Sequence, residues 1–120
     1  MPPEEQEAPV DLVHLRRFTM GDEQLELEIL GLFANQLPIT ISALKSADSE
    51  KEWGMAAHTL KGSARAVGAW SLATIAESAE RIKPLDDAAA RGLVVQRIEE
   101  AAAAARRYIA SLPQDTSRDV

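Results

Sequence analysis

Leu30-Gly-Leu-Phe33-Ala-Asn-Gln-Leu37-Pro38-Ile-Thr-Ile41-Ser-Ala-Leu44 is the stretch on which the fold turns. Leu30, Phe33, Leu37, Ile41 and Leu44 follow one another at steps of 3, 4, 4 and 3, which puts them on one face of an α-helix. Pro38 removes one backbone donor inside that pattern, and because the periodicity continues past it, a kink is expected there rather than an end. The uncharged run between Glu28 and Lys45 is 16 residues long and contains Asn35, Gln36, Thr40 and Ser42. A spanning helix needs about 20 mostly apolar residues, so the run predicts a core helix and not a membrane span.

Working outward, the helix is expected over residues 22–47. A short helix over 10–18 precedes it, closed by the Met20-Gly21-Asp22 turn. Asp48 and Ser49 then offer cap oxygens for a third helix over 50–67, with Glu52 at capping-box spacing from Ser49 and Gly68 as its stop. A fourth is predicted over 70–83, carrying Leu72, Ile75, Ala79 and Ile82 and stopped by Pro84. Asp86 or Asp87 can cap a fifth, whose stripe reads Val95, Ile98, Ala102, Ala105, Ile109 and Leu112. Four long helices with short connections predict an all-α antiparallel four-helix bundle, with the short N-terminal helix packed across one end. Residues 1–9, with three prolines and three acids, and residues 113–120 are expected as mobile tails around a 10–112 bundle.

Composition narrows the function. The chain of 120 residues has 21 alanines and five aromatic residues, which favours closely packed helices. Its 13 basic and 19 acidic residues give a net charge of −6, which argues against a nucleic-acid partner. The absence of Cys excludes disulfides and thiolate chemistry. There is no Gly-rich phosphate loop and no Glu-x-x-His pair, and the two histidines lie far apart, so neither a nucleotide site nor a metal centre is expected. Glu4, Glu5 and Glu7 stand where a secretory signal would be basic and then apolar, so a cytoplasmic protein is expected.

The third helix carries the chemistry. Trp53, Ala57, Leu60, Ala64 and Val67 form its core stripe, and His58, Lys61, Gly62 and Arg65 form a second stripe centred about 140° away. The His58 imidazole is therefore expected to point outward. A neutral imidazole nitrogen is a nucleophile at physiological pH. Lys61, one turn on, supplies a cation for an anion docked at His58, and Arg65 extends the positive field. Gly62 costs a helix about 1 kcal/mol relative to alanine, and clears the space beside the ring. An outward histidine, a nearby cation and a cleared neighbour suit a residue that receives and hands on a phosphoryl group.

His58-Thr-Leu60-Lys61-Gly62-Ser63-Ala64, followed by Gly68, resembles the signature of histidine-containing phosphotransfer (HPt) domains, and the resemblance covers about residues 10–110. It implies a helical bundle that relays a phosphoryl group between receiver-domain aspartates in a two-component phosphorelay, with His58 as the phosphoacceptor. It implies that Lys61 helps neutralise the phosphoryl oxygens and that Gly62 gives the receiver access; Arg65, by extending the positive field, is a candidate for docking. Family members often place a Gln on the next helix to hold the ring nitrogen that does not react; the equivalent position here is Glu80, a departure from that pattern. The implied partners are response-regulator receiver domains and a histidine kinase or hybrid kinase. No cofactor belongs to the chain, since Mg²⁺ is expected on the receiver, and the protein should have no kinase activity of its own. A docking face with Ala57, Ala64, Ala66 and Ala69 close by, and a monomeric state, complete the expectation. The rival readings are a non-catalytic bundle that docks on a kinase or receiver as a scaffold or inhibitor, and a metal-holding bundle with a poor set of ligands.

Overall fold

The computed structural model describes residues 8–113. The tails expected at 1–9 and 113–120 lie almost wholly outside the described residues. Those described form five helices and no strand: α1 (Leu12–Thr19), α2 (Glu23–Lys45), α3 (Glu50–Val67), α4 (Trp70–Glu80) and α5 (Ala88–Ser111). α3 packs against α2 on one side and α4 on the other, α5 closes the ring against α4 and α2, and α1 lies across α2 and α3. This is the all-α four-helix bundle with an extra N-terminal helix that the periodicity predicts.

Side-chain caps set the helix starts. Asp11 accepts from the His14 N–H, Asp22 from the Leu25 N–H, Ser49 from the Glu52 N–H and Asp87 from the Ala90 N–H. Asp11 is thus the cap of α1, which begins two residues later than expected. Val10 precedes that cap and is buried with Leu15, the pair of positions that a hydrophobic staple uses. At α3 the capping box is displaced by one residue, because the Glu52 carboxylate reaches back to the N–H of Asp48 at 2.9 Å. α3 ends in a Schellman motif: Gly68 takes φ +80°, its N–H bonds Arg65 O, and the N–H of Ala69 bonds Ala64 O.

The core stripe of α2 is as predicted, with Leu30, Phe33, Leu37, Ile41 and Leu44 all buried, and the helix runs through Pro38. By length and composition alone α2 passes for a membrane-crossing helix, with a mean hydropathy of 1.4 over its most apolar window. Leu30, Phe33, Leu37, Ile41 and Leu44 nevertheless face the bundle core, as on the central helix of a globular domain, while Leu25, Leu32 and Ile39 on the same helix are exposed.

α4 and α5 each differ from the prediction in one further respect. α4 ends at Glu80 rather than residue 83, so it has 11 residues and only three of the bundle helices are long. The Ala79 carbonyl accepts the Trp53 indole N–H at 2.7 Å and the Ile82 N–H at 3.1 Å. That i to i−3 bond tightens the last turn, and Lys83 stands before a proline, where α geometry is disfavoured. On α5 the buried valine is Val94, with Val95 only half-buried. Adjacent valines fit the stripe almost equally well, and packing against the neighbouring helices selects between them.

Candidate phosphotransfer site

α3 is amphipathic in the manner its two stripes require. Trp53, Ala57, Leu60, Ala64 and Val67 are buried, while His58, Gly62 and Arg65 are exposed. The His58 side chain is 71% exposed. The Schellman turn at Gly68 sends the chain back as α4, which runs beside α3 and brings its last residue, Glu80, under the imidazole. Trp53, buried on α3 below His58, holds this end of α4 through its bond to Ala79, the residue before Glu80.

Glu80 holds two partners. Its Oε2 lies 3.2 Å from His58 Nδ1, and its Oε1 pairs with the Lys61 ammonium. The Lys61 ammonium beside Glu80 holds the carboxyl below the ordinary value of 4.5; burial opposes that shift and the bond to His58 adds to it. Glu80 is therefore an ionised carboxylate at neutral pH, and a carboxylate only accepts hydrogen bonds. Nδ1 must then carry the ring proton, which leaves Nε2 with its lone pair, on a ring open to solvent. The equivalent Gln of the family pattern would offer one acceptor oxygen to the ring and no charge to Lys61; here one carboxylate serves both.

Lys61 is not the free surface cation expected from the sequence. Its side chain is only 16% exposed and its charge is engaged by Glu80. It remains one turn from His58, so a dianion arriving at Nε2 would compete with Glu80 for the ammonium. Arg65 is half-exposed and its Nη2 stands 3.5 Å from Glu77 Oε2, again tying α3 to α4. At Gly62 an added Cβ would meet nothing within 4 Å, so the position is open space on the His58 face. Of the small residues expected on a docking face, Ala57, Ala64 and Ala69 are buried in the core, and only Ala66 is exposed. Small size does not distinguish a face that receives a partner from a seam between helices.

Two residues of the site's framework act through polar contacts that the helical pattern does not show: Trp53, whose indole donates to Ala79, and Arg91, whose guanidinium lies 5.1 Å from the centre of the Trp53 ring and donates to the carbonyls of Lys45 and Ala47. His14 packs edge-on against Trp70 and Phe18 at the other end of the bundle. Among the described residues no group of three or more His, Asp or Glu side chains could hold a metal ion.

The Hpt domain family model matches residues 23–108, from the first residue of α2 to within one turn of the end of α5. No match was found among the curated proteins or among the solved structures. The matched span covers every helix of the bundle and the whole of the His58 site, and leaves out only α1 and the ends; the chain belongs to the Hpt domain family.

Proposed function

We propose that this protein carries a phosphoryl group between receiver-domain aspartates, with Nε2 of His58 as its point of attachment. The observation that carries the reading is the Glu80 contact: with Nδ1 committed to a carboxylate, the exposed Nε2 is the nucleophile. Attack by that nitrogen on an aspartyl phosphate forms the N–P bond as the P–O bond breaks, and the aspartate leaves as a carboxylate. The ring then bears positive charge, which Glu80 stabilises from the Nδ1 side. The reverse step, onto a second aspartate, regenerates the neutral ring. Lys61 supplies charge for the phosphoryl oxygens, Gly62 leaves room for the receiver, and Arg65 lies at the edge of the docking face.

Membership of the Hpt family supports a phosphocarrier role in two-component signalling rather than a kinase role. The partners on this reading are receiver domains and a histidine kinase or hybrid kinase in the cytoplasm, with Mg²⁺ brought by the receiver. The test is incubation with a receiver domain carrying a labelled aspartyl phosphate. Label should pass to this protein and should not pass to a His58→Gln variant. A receiver that binds without transferring label, and binds His58→Ala equally well, would instead identify a scaffold or inhibitor.

A further inference from the structure

The face opposite the His58 site is incompletely filled. α2 and α5 meet along a seam that carries an open groove of about 490 Å³, with the buried side chains of Leu37, Ile41 and Ala102 as its floor and Lys45, Glu99 and Arg106 on its rim. A second groove of about 440 Å³ continues it toward the end of α5 and shares Ala103 and Arg106 with the first. The α2–α3 seam carries a smaller groove, of about 300 Å³, lined by residues that include Phe33, Leu60 and Val67.

The charges along this face have an order. α5 reads Glu99-Glu100, five alanines, then Arg106-Arg107. Glu99 and Arg106 are seven residues apart, two helical turns, so they line the same groove about 10 Å from each other. Among the described residues Glu99 is met only by Lys45, at 3.1 Å, and Glu100 only by the Gln96 amide, at 3.4 Å. Among the described residues Arg106 and Arg107 have no carboxylate partner. The sequence of charges is thus opposite at the two ends, with its midpoint at Ala102 and Ala103.

We propose that the α2–α5 face docks a second copy of this chain, with the two α5 helices antiparallel about a two-fold axis near Ala103. Rotation about that axis sets Glu99 and Glu100 of each copy against Arg106 and Arg107 of the other, so every new ion pair occurs twice, as an isologous interface requires. The alanines between them allow the helix axes to approach to about 8 Å, the near limit for packed helices. An unrelated partner would have to reproduce both charged ends in reversed order, whereas an antiparallel copy does so by symmetry. Because α2 and α5 lie across the bundle from the α3–α4 seam, both His58 rings remain open in the dimer. The monomer expected from the sequence gives way here to a concentration-dependent dimer, and nothing in this depends on His58 carrying phosphate.

Sedimentation equilibrium of the full chain over a concentration series should show the mass rise from 13.0 kDa toward twice that value. Arg106→Glu should weaken the association about tenfold or more, since each substitution replaces two attractive contacts by two repulsive ones. The chain has no cysteine, so Ala103→Cys introduces a single thiol at the axis, and mild oxidation should convert that variant to a disulfide-linked dimer. Thr74→Cys, exposed on α4, should stay unlinked under the same conditions. A single 13.0 kDa species at every concentration, a dimer indifferent to Arg106→Glu, or a dimer in which Ala103→Cys fails to cross-link would each overturn the proposal.

Discussion

Glu80 Oε2 stands 3.2 Å from His58 Nδ1, across the seam between α3 and α4, while the other oxygen of the same carboxylate holds Lys61. One acid therefore sets the tautomer of the imidazole and occupies the cation one turn away. The two tasks separate by substitution, because an amide oxygen can accept from Nδ1–H but cannot balance an ammonium.

Glu80→Gln should keep the Nδ1–H tautomer, and Glu80→Leu should lose the preference. Nitrogen-15 chemical shifts of the His58 ring read this directly. Transfer from a phosphorylated receiver should slow by about tenfold in Glu80→Leu, the usual scale for losing a residue that orients a reacting imidazole, and by less in Glu80→Gln. Equal rates in both variants with an unchanged tautomer would remove Glu80 from the site.

Lys61→Met should destabilise the fold by about 1 kcal/mol at neutral pH, more than an ordinary exposed lysine, because it leaves the half-buried Glu80 carboxylate without its ammonium. The sign of the pH dependence follows from Glu80. Its folded value lies below the ordinary 4.5, so the pair contributes fully above that pH and its contribution is lost as pH falls through the depressed value. Melting curves of the two proteins should therefore converge in acid. A gap between them that is as wide at pH 3 as at pH 7 would contradict the pairing.

Gly68→Ala should be the most damaging single methyl in the chain. Gly68 has φ +80°, and a Cβ there would lie 2.9 Å from both Asp11 Cβ and the Asp11 carbonyl oxygen. The Asp11 N–H also donates to the Gly68 carbonyl at 2.9 Å, and the Asp11 carboxylate accepts the Trp70 indole N–H at 3.0 Å. The left-handed backbone alone costs about 1 kcal/mol for a non-glycine residue, and the contact with Asp11 adds to it. Thermal melting should show a loss of about 2 kcal/mol or more, and hydrogen exchange should rise first in α1, whose anchor is lost.

The bundle was legible because α2 and α3 each pair one strict stripe with caps whose chemistry is local: Asp22, Ser49 and Gly68 act on backbone groups within five residues of themselves. What escaped the sequence was set by contacts across helices. The end of α4 depends on the Trp53 indole, 26 residues away in the chain, and the choice of Val94 over Val95 depends on the helices that α5 meets. At the site, spacing alone gave the outward turn of His58 and the open position at Gly62. The engagement of Lys61 could not be read in the same way, because Glu80 comes to it from another helix by way of the turn at Gly68. Ala57 and Ala64 are buried as their core stripe requires and so do not also line a docking face, and Ala69 is buried with them, since alanine fits a docking face and a tight helix seam equally well.

Gly62 separates the demands of folding from those of docking. It lies inside α3, where glycine costs about 1 kcal/mol relative to alanine, and an added Cβ would touch nothing within 4 Å. Gly62→Ala should therefore raise stability by about that amount, with transfer nearly intact, because a methyl group scarcely rises above the helix surface. Gly62→Leu should also fold at least as well as the parent, yet its side chain would stand beside His58 where an approaching receiver must fit, so transfer should fall steeply while the melting temperature does not. The comparison between alanine and leucine is what assigns the cause: a backbone role for Gly62 would make both variants unstable, and a surface with no partner would leave both fully active. Only a glycine retained to keep the approach to Nε2 open yields a stable, active alanine variant beside a stable, inactive leucine one.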